Sequence, residues 1–273
     1  MSLLLKGTGT VPEMPVRIFK NYSYGRIDIH MKLVAFSSRT AKEILRDPLN
    51  LCFGIGFPVI LILLLSAIQA NIPVKLFEIG RLSPGIAVFG MSFLTLFSAS
   101  LVAKDRESAF LQRLYTAPMK PADFIFGYTL PMLPLALAQS VLCYLVAVIL
   151  GLDINISILY AVLSGIPAAV FFIAVGLLCG SVLGVKQVGG ICGALFTNVA
   201  AWLSGTWFDL ELVGGAFKKI AYLLPFAHAV ELERAVLSGS YGDIFPHIYW
   251  VAGYAAATLA LAVLLFLRQM RRQ

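Results

Sequence analysis

Long uninterrupted apolar runs constrain this chain more than any other feature. They fall at about 51–69, 84–103, 124–150, 156–183, 187–206 and 246–267. A helix rises about 1.5 Å per residue, so about 20 residues cross the roughly 30 Å hydrocarbon core of a bilayer. Inside hydrocarbon every backbone N–H and C=O must be satisfied internally, which leaves helices or closed barrels. Barrel strands need only about 10 residues, so runs of this length predict helices. The chain is 59% hydrophobic and 13% charged, against about 25% charge in ordinary soluble domains. The expected fold class is therefore an all-α integral membrane protein with six transmembrane helices. Pro58, Pro131, Pro134 and Pro167 lie inside the runs and predict bends.

Lys and Arg set the expected orientation. With the N-terminus inside, sixteen of them fall on cytoplasmic segments and five (Lys75, Arg81, Lys218, Lys219, Arg234) on outer ones. That bias predicts cytoplasmic termini. It also accounts for the net charge of +7 without nucleic acid, since no basic surface studded with aromatics appears.

The segments between the runs are informative. Residues 1–30 read as an N-terminal cytoplasmic tail, and 31–273 as one membrane domain. Residues 31–47 form an amphipathic helix, with Leu33, Val34, Ala41, Ile44 and Leu45 on one face and Lys32, Arg39, Lys42, Glu43 and Arg46 on the other. Such a helix lies in the bilayer interface. Residues 104–121 form a second, with Phe110, Leu111, Leu114 and Tyr115 opposite Asp105, Arg106, Gln112 and Arg113, closed by Pro118 and Pro121. It is either a docking point for a soluble partner or an ordinary helix on the bilayer surface. Residues 212–224 and 226–237, broken by Pro225, are too short to span and read as re-entrant helices at the outer face. There Glu231, Glu233 and Arg234 are expected to face water or one another. Gly176, Gly180 and Gly184, followed by Gly189, Gly190 and Gly193, predict close packing of the fourth and fifth spans.

Several function classes are disfavoured. No Asp, Glu, Lys or Arg falls in the core of a predicted span, which lowers the case for an ion-coupled carrier. No GxxxxGK[ST] phosphate loop occurs, so these residues do not bind ATP by that device. Cys52, Cys143, Cys179 and Cys192 each sit in an apolar run without CxxC or metal-ligand spacing, and read as small buried residues. His30, His228 and His247 lie beside no plausible nucleophile. Among polar residues inside spans, Ser92, Thr95, Ser98, Ser100, Thr197 and Asn198 can bond back to their own helices, and Asn198 most needs a partner helix or a cavity.

Two stretches carry a family resemblance. One is Lys104-Asp-Arg-Glu-Ser-Ala-Phe-Leu-Gln-Arg-Leu-Tyr-Thr-Ala-Pro118. The other is Leu203-Ser-Gly-Thr-Trp-Phe208, with Leu224-Pro-Phe-Ala-His228 and Arg234-Ala-Val-Leu-Ser-Gly239. With the six spans and the amphipathic first helix, over about 31–270, the pattern resembles the permease subunit of type-2 ABC exporters, the class sharing its architecture with the human G-subfamily half-transporters. It departs in its 30-residue tail and in Ser108, where a Gly often stands.

The resemblance implies a separate ABC ATPase subunit that carries ATP and Mg, and no cofactor on this chain. It implies a second permease copy, as a homodimer or a related heterodimer, in the plasma or inner membrane. It assigns ATPase coupling to Arg39, Arg46, Arg106, Glu107, Phe110, Leu111, Arg113 and Leu114, with Glu107 bonded to Arg39 or Arg46. It places a substrate path at Ser92, Thr95, Thr197 and Asn198, and an outer gate at Pro225 and His228. The implied cargo is hydrophobic or amphipathic: drug-like, lipid-like or peptide. The alternative is a channel or secondary carrier working without ATP.

Overall fold

The computed structural model describes residues 27–73, 77–108 and 121–270, and all regular structure among them is helical. Helix α1 (Ile27–Leu45) comes first. A short turn at Pro48–Leu51 and a π-helical turn at Cys52–Gly56 lead into α2 (Phe57–Gln69). Pro58 has no N–H for an earlier carbonyl, and the wide turn sits directly before it, where a bend was expected. Then come α3 (Ile79–Met91), α4 (Phe93–Glu107), α5 (Pro121–Ile149), α6 (Ser157–Ser164) and α7 (Ile166–Val182). The α3–α4 junction is held by Ser92, whose hydroxyl donates to the Phe89 carbonyl at 2.6 Å. The α6–α7 junction falls at Gly165, with Pro167 in the first turn of α7, where a missing N–H costs least.

Five stretches among the described residues are long and apolar enough to cross a membrane: Cys52–Gln69, Ile79–Glu107, Ala122–Ile149, Ser157–Val182 and Tyr241–Gln269. The expected fifth span, 187–206, is not among them. Its helix runs from Val185 to Leu203 in three pieces: Val185–Val188, a π-helical Gly189–Phe196, and α8 (Thr197–Leu203). A π-helix closes its bonds one residue later than an α-helix, so this stretch is shorter and wider than its residue count suggests. The region expected to be re-entrant folds as Leu210–Val213, α9 (Gly215–Leu223) and α10 (Pro225–Leu237), with Pro225 at the start of α10. Helix α11 (Ile244–Met270) ends the described chain.

The core forms where α4 and α7 touch. A Cβ on Gly176 would overlap the Ser98 hydroxyl and the Thr95 carbonyl, and one on Gly180 would lie 2.5 Å from the Ala99 carbonyl. The small-residue stripe therefore packs against the second span rather than the fifth. Gly189 and Gly190, on the fifth segment, have nothing within 4 Å. Across the joint, Thr95 Oγ1 donates to the Phe172 carbonyl at 2.8 Å and Ser98 Oγ reaches the Ile173 carbonyl at 3.2 Å. Phe171, Phe172, Phe196 and Phe226 extend this core toward α10 with edge and stacked contacts.

Helix α1 packs on α5 through Phe36, Thr40 and Ile44, which are 5%, 0% and 4% exposed. Of the expected apolar face, Ile44 is buried against the bundle, while Val34 and Leu45 are 66% and 67% exposed, as a face turned to lipid would be. Thr40 hides the true stripe in a wheel drawn by hydrophobicity, because its hydroxyl bonds back to the Phe36 carbonyl at 3.1 Å. Opposite, the Phe36 ring lies edge-on to Tyr128 at 4.9 Å, in the space left by Gly127.

Candidate functional site

The last turn of α4 carries four charged residues in a row, and each ties down a different element. Lys104 Nζ lies 3.7 Å from Asp47. Asp105 is 2% exposed and accepts both guanidinium nitrogens of Arg39, at 2.6 and 2.7 Å, and the Tyr128 hydroxyl at 2.7 Å. Paired Arg–carboxylate bonds of this kind are strong and directional. Arg39 also meets Glu43 at 2.8 Å. Arg106 donates to the carbonyls of Ser181 and Leu183, the latter at 2.6 Å. A cation there satisfies the orphan carbonyls at the end of α7 and suits its negative pole. Glu107 Oε1 accepts the Val185 N–H at 2.9 Å, at the start of the next helical piece. Thus the end of α4 fixes α1, α5, α7 and the segment after α7 as one unit.

This arrangement corrects the expected pairing of Glu107 with Arg39 or Arg46. Asp105 takes Arg39, and Glu107 takes a backbone N–H. Asp105 was expected on a polar face because 104–121 was phased as one helix. Its face is set by the preceding span instead, where Leu94, Ser98, Leu101 and Val102 share its side at helical spacing and are buried. Arg46 is exposed and lines a groove of about 870 Å³ with Ser38, Lys42, Glu43 and Asp47. Phe110, Leu111, Arg113 and Leu114 lie outside the described residues.

A second feature is a cavity of about 450 Å³ between the two π-helical segments. It is lined by Phe53, Phe57, Phe89, Phe93, Gly193, Thr197, Asn198, Ala201, Trp202 and Trp207. The aromatic wall is self-supporting: Phe89 meets Phe93 edge-on at 5.6 Å and Trp207 at 5.5 Å, and Phe53 stacks on Phe93 at 6.2 Å. Asn198 bonds to the Ala194 carbonyl of its own helix at 2.7 Å. Thr197 and Asn198 reach this cavity. Ser92 and Thr95 do not; both are fully buried, bonded to the Phe89 and Phe172 carbonyls, and hold helices together.

At the other end of the bundle, α10 is the organising element. Arg234 bonds Glu231 at 2.9 Å, the Gly205 carbonyl at 3.0 Å and the Arg81 carbonyl at 3.2 Å. His228 stacks flat on Trp250 at 5.1 Å. Its Nε2 lies 2.9 Å from the Tyr222 carbonyl, so that nitrogen carries the proton, and its Nδ1 accepts from His247 Nδ1 at 2.8 Å. Burial pushes the His228 imidazole below its ordinary pKa. Pro225 is buried at the head of the same helix. Glu231 and Arg234 face each other as expected, but Glu233 does not join them: it is fully buried and meets Tyr144 at 2.7 Å. Sequence reasoning missed Glu233 because its two charged neighbours suggested a wet surface. The signal was its helical spacing from Ala229, Val230 and Val236, all buried.

Among the described residues, five spanning-length helical stretches, apolar exposed faces and charges gathered at the bundle ends mark a multi-pass helical membrane protein. A family model described as ABC-2 type transporter matches residues 31–237, and the chain belongs to that family of transporter permeases. A protein of Porphyra purpurea named "Putative transport permease ycf38" is 28% identical over 235 residues, covering 81% of this chain and 78% of that protein. The protein of the same name from Pyropia yezoensis is 31% identical over 124 residues, covering 44% and 42%.

Proposed function

We propose that this chain is the membrane subunit of an ABC exporter, driven by ATP hydrolysis on a separate ATPase subunit. The observation that carries this reading is the charged turn Lys104–Glu107. It links four elements of the membrane domain at the point where the chain enters 109–120. A push on that segment by a soluble partner is passed to α1, α5 and α7 together. The groove along α1 that contains Arg46, beside this turn, belongs to the same docking end. That end is cytoplasmic by the Lys and Arg bias, and the α10 end is outer.

In this reading the piece from Val185 to Leu203 is the fifth of six spans, and two permease copies, alike or related, work as a pair. Cargo moves past the aromatic cavity, with Thr197 and Asn198 as its polar contacts. The wall of Phe and Trp side chains favours a hydrophobic or amphipathic molecule. Pro225 and His228 belong to the outer gate. Alternating access is a shift between two packed states, biased by contacts that the ATPase makes differently in each.

Flux tests the reading. Inverted vesicles bearing the permease with its ATPase should accumulate a hydrophobic fluorescent probe only with ATP, and vanadate should stop it. Uptake driven by an ion gradient with no ATPase present would establish the carrier reading instead.

A further inference from the structure

The Glu233 carboxyl has no solvent exposure. Its Oε2 lies 2.7 Å from the Tyr144 hydroxyl on α5, and its Oε1 has no hydrogen-bond partner among the described residues. Carbon closes around that oxygen. A Cβ built on Gly165, at the α6–α7 junction, would fall 2.7 Å from Oε1 and 2.6 Å from the methyl of Met91. Leu232 and Val236 of α10, Val162 of α6 and Ile86 of α3 fill one apolar cluster beside it.

Among the described residues no cation faces this carboxyl from any element packed there. On α10, Arg234 is committed to Glu231 and to two carbonyls, and His228 faces Trp250 and, on α11, His247. On α3 the one ionisable group is Arg81, in the first turn, 3.5 Å from Asp209. On α5 the near groups are Tyr144 and the Cys143 thiol, which receives a bond from Gln139 at 3.3 Å. Helix α6 offers Tyr160, 47% exposed, and α7 offers Cys179 near its far end.

An ionised carboxylate here would leave charge on an oxygen without a donor, in carbon surroundings. Such a group avoids the penalty by holding a proton. In the acid form the Tyr144–Glu233 contact still holds one O–H···O bond, and no oxygen carries an unpartnered charge. We propose that Glu233 is a proton-binding site. It holds one proton while α10 packs against α3, α5 and α6, and loses it when that packing opens to water. On opening, the O–H bond breaks, the electron pair stays on the carboxylate, and the proton passes to water. That this water is the external solution rests on the outer-gate reading; the protonation itself does not.

One proton bound in the packed state and none in the open state makes the packed-to-open ratio fall as pH rises, by up to about tenfold per pH unit. Acid therefore favours the packed state and alkali the open one. His228 titrates with the opposite sign, so Glu233 must be read by difference from Glu233→Gln.

The test is infrared difference spectroscopy of the full chain in phosphatidylcholine nanodiscs, with Glu233→Gln and Tyr144→Phe alongside. The expected result is a protonated-carboxyl C=O band at neutral pH that fades on alkalinisation. It should be absent from Glu233→Gln and shifted in frequency in Tyr144→Phe. The melting temperature of wild type minus that of Glu233→Gln should fall as pH rises. Identical carboxyl bands in wild type and Glu233→Gln, or a melting difference independent of pH, would overturn the proposal. If Glu233→Gln does not fold, the Tyr144→Phe shift decides: an unmoved band excludes Glu233 as its source. Neither readout uses an ATPase or a cargo.

Discussion

At the scale of single residues, Asp105 carries the most weight. It is buried with two guanidinium nitrogens and a phenol directed at it. Replacing Arg39 by Ala leaves that carboxylate with only Tyr128, and stranding one member of a buried pair costs about 3 kcal/mol. Glu43 is 34% exposed, and its bond to the same arginine is worth about 0.5 kcal/mol. Thermal melts in detergent should therefore show a large fall for Arg39→Ala and almost none for Glu43→Ala. Equal falls would mean that the Asp105 pair is solvated. His228 gives a second residue-scale prediction. Its imidazole is held neutral by burial, so its contacts are intact above about pH 6.5 and weaken as the pH falls below the ordinary histidine value. Trp250 reports this directly, because it stacks on that ring with 4° between planes. With Trp202 and Trp207 replaced by Phe, its fluorescence should change on acidification in the parent and stay flat in His228→Phe.

At the scale of elements, the α4–α7 joint is the least forgiving. Gly180→Leu would drive a side chain into the Ala99 carbonyl, whereas Gly189→Ala enters open space. The yield of folded protein from membranes should collapse for the first and hold for the second. The run lengths in the sequence made these elements legible: five of the expected spans are spanning-length helices, and Pro225 starts a helix where the chain was expected to break. Less legible was how the elements meet. The glycine stripe shows that some helix comes close, but Gly176 and Gly180 do not say whether the visitor is α4 or the segment after α7. That choice is made by Thr95 and Ser98, whose hydroxyls find carbonyls of α7. The π-helical turn before Pro58 was expected as a kink; the one at Gly189–Phe196 left no such mark.

At the scale of the whole molecule, both ends of the bundle are built on charges whose partners lie far along the chain. The sequence shows the charges but not their phase. Lys104–Glu107 stood out as a dense run, yet which residue turns inward depends on the helix that precedes it. Thr197 and Asn198 were found as polar residues in an apolar run, and they line the cavity. Ser92 and Thr95 matched the same description but are used up in holding helices together. A polar contact in the cavity should alter selection of cargo without touching the docking end. Asn198→Leu is thus expected to change the preference among hydrophobic probes while ATP hydrolysis by the complex persists. Loss of hydrolysis in that variant would place Asn198 in the coupling machinery instead.

In the proposed mechanism a separate ATPase drives this permease through the segment beside Lys104–Glu107. The most direct measurement is a mild-detergent pulldown of the tagged chain from its own host, with mass spectrometry and an ATP-hydrolysis assay of the eluate. Wild type should bring down a Walker-motif ATPase in near-equal amount with vanadate-sensitive hydrolysis. The double variant Phe110→Asp, Leu111→Asp should insert normally and bring down none, because a charge buried in an apolar joint costs several kcal/mol. A wild-type chain that purifies without an ATPase, or a double variant that retains it in full, would contradict the account.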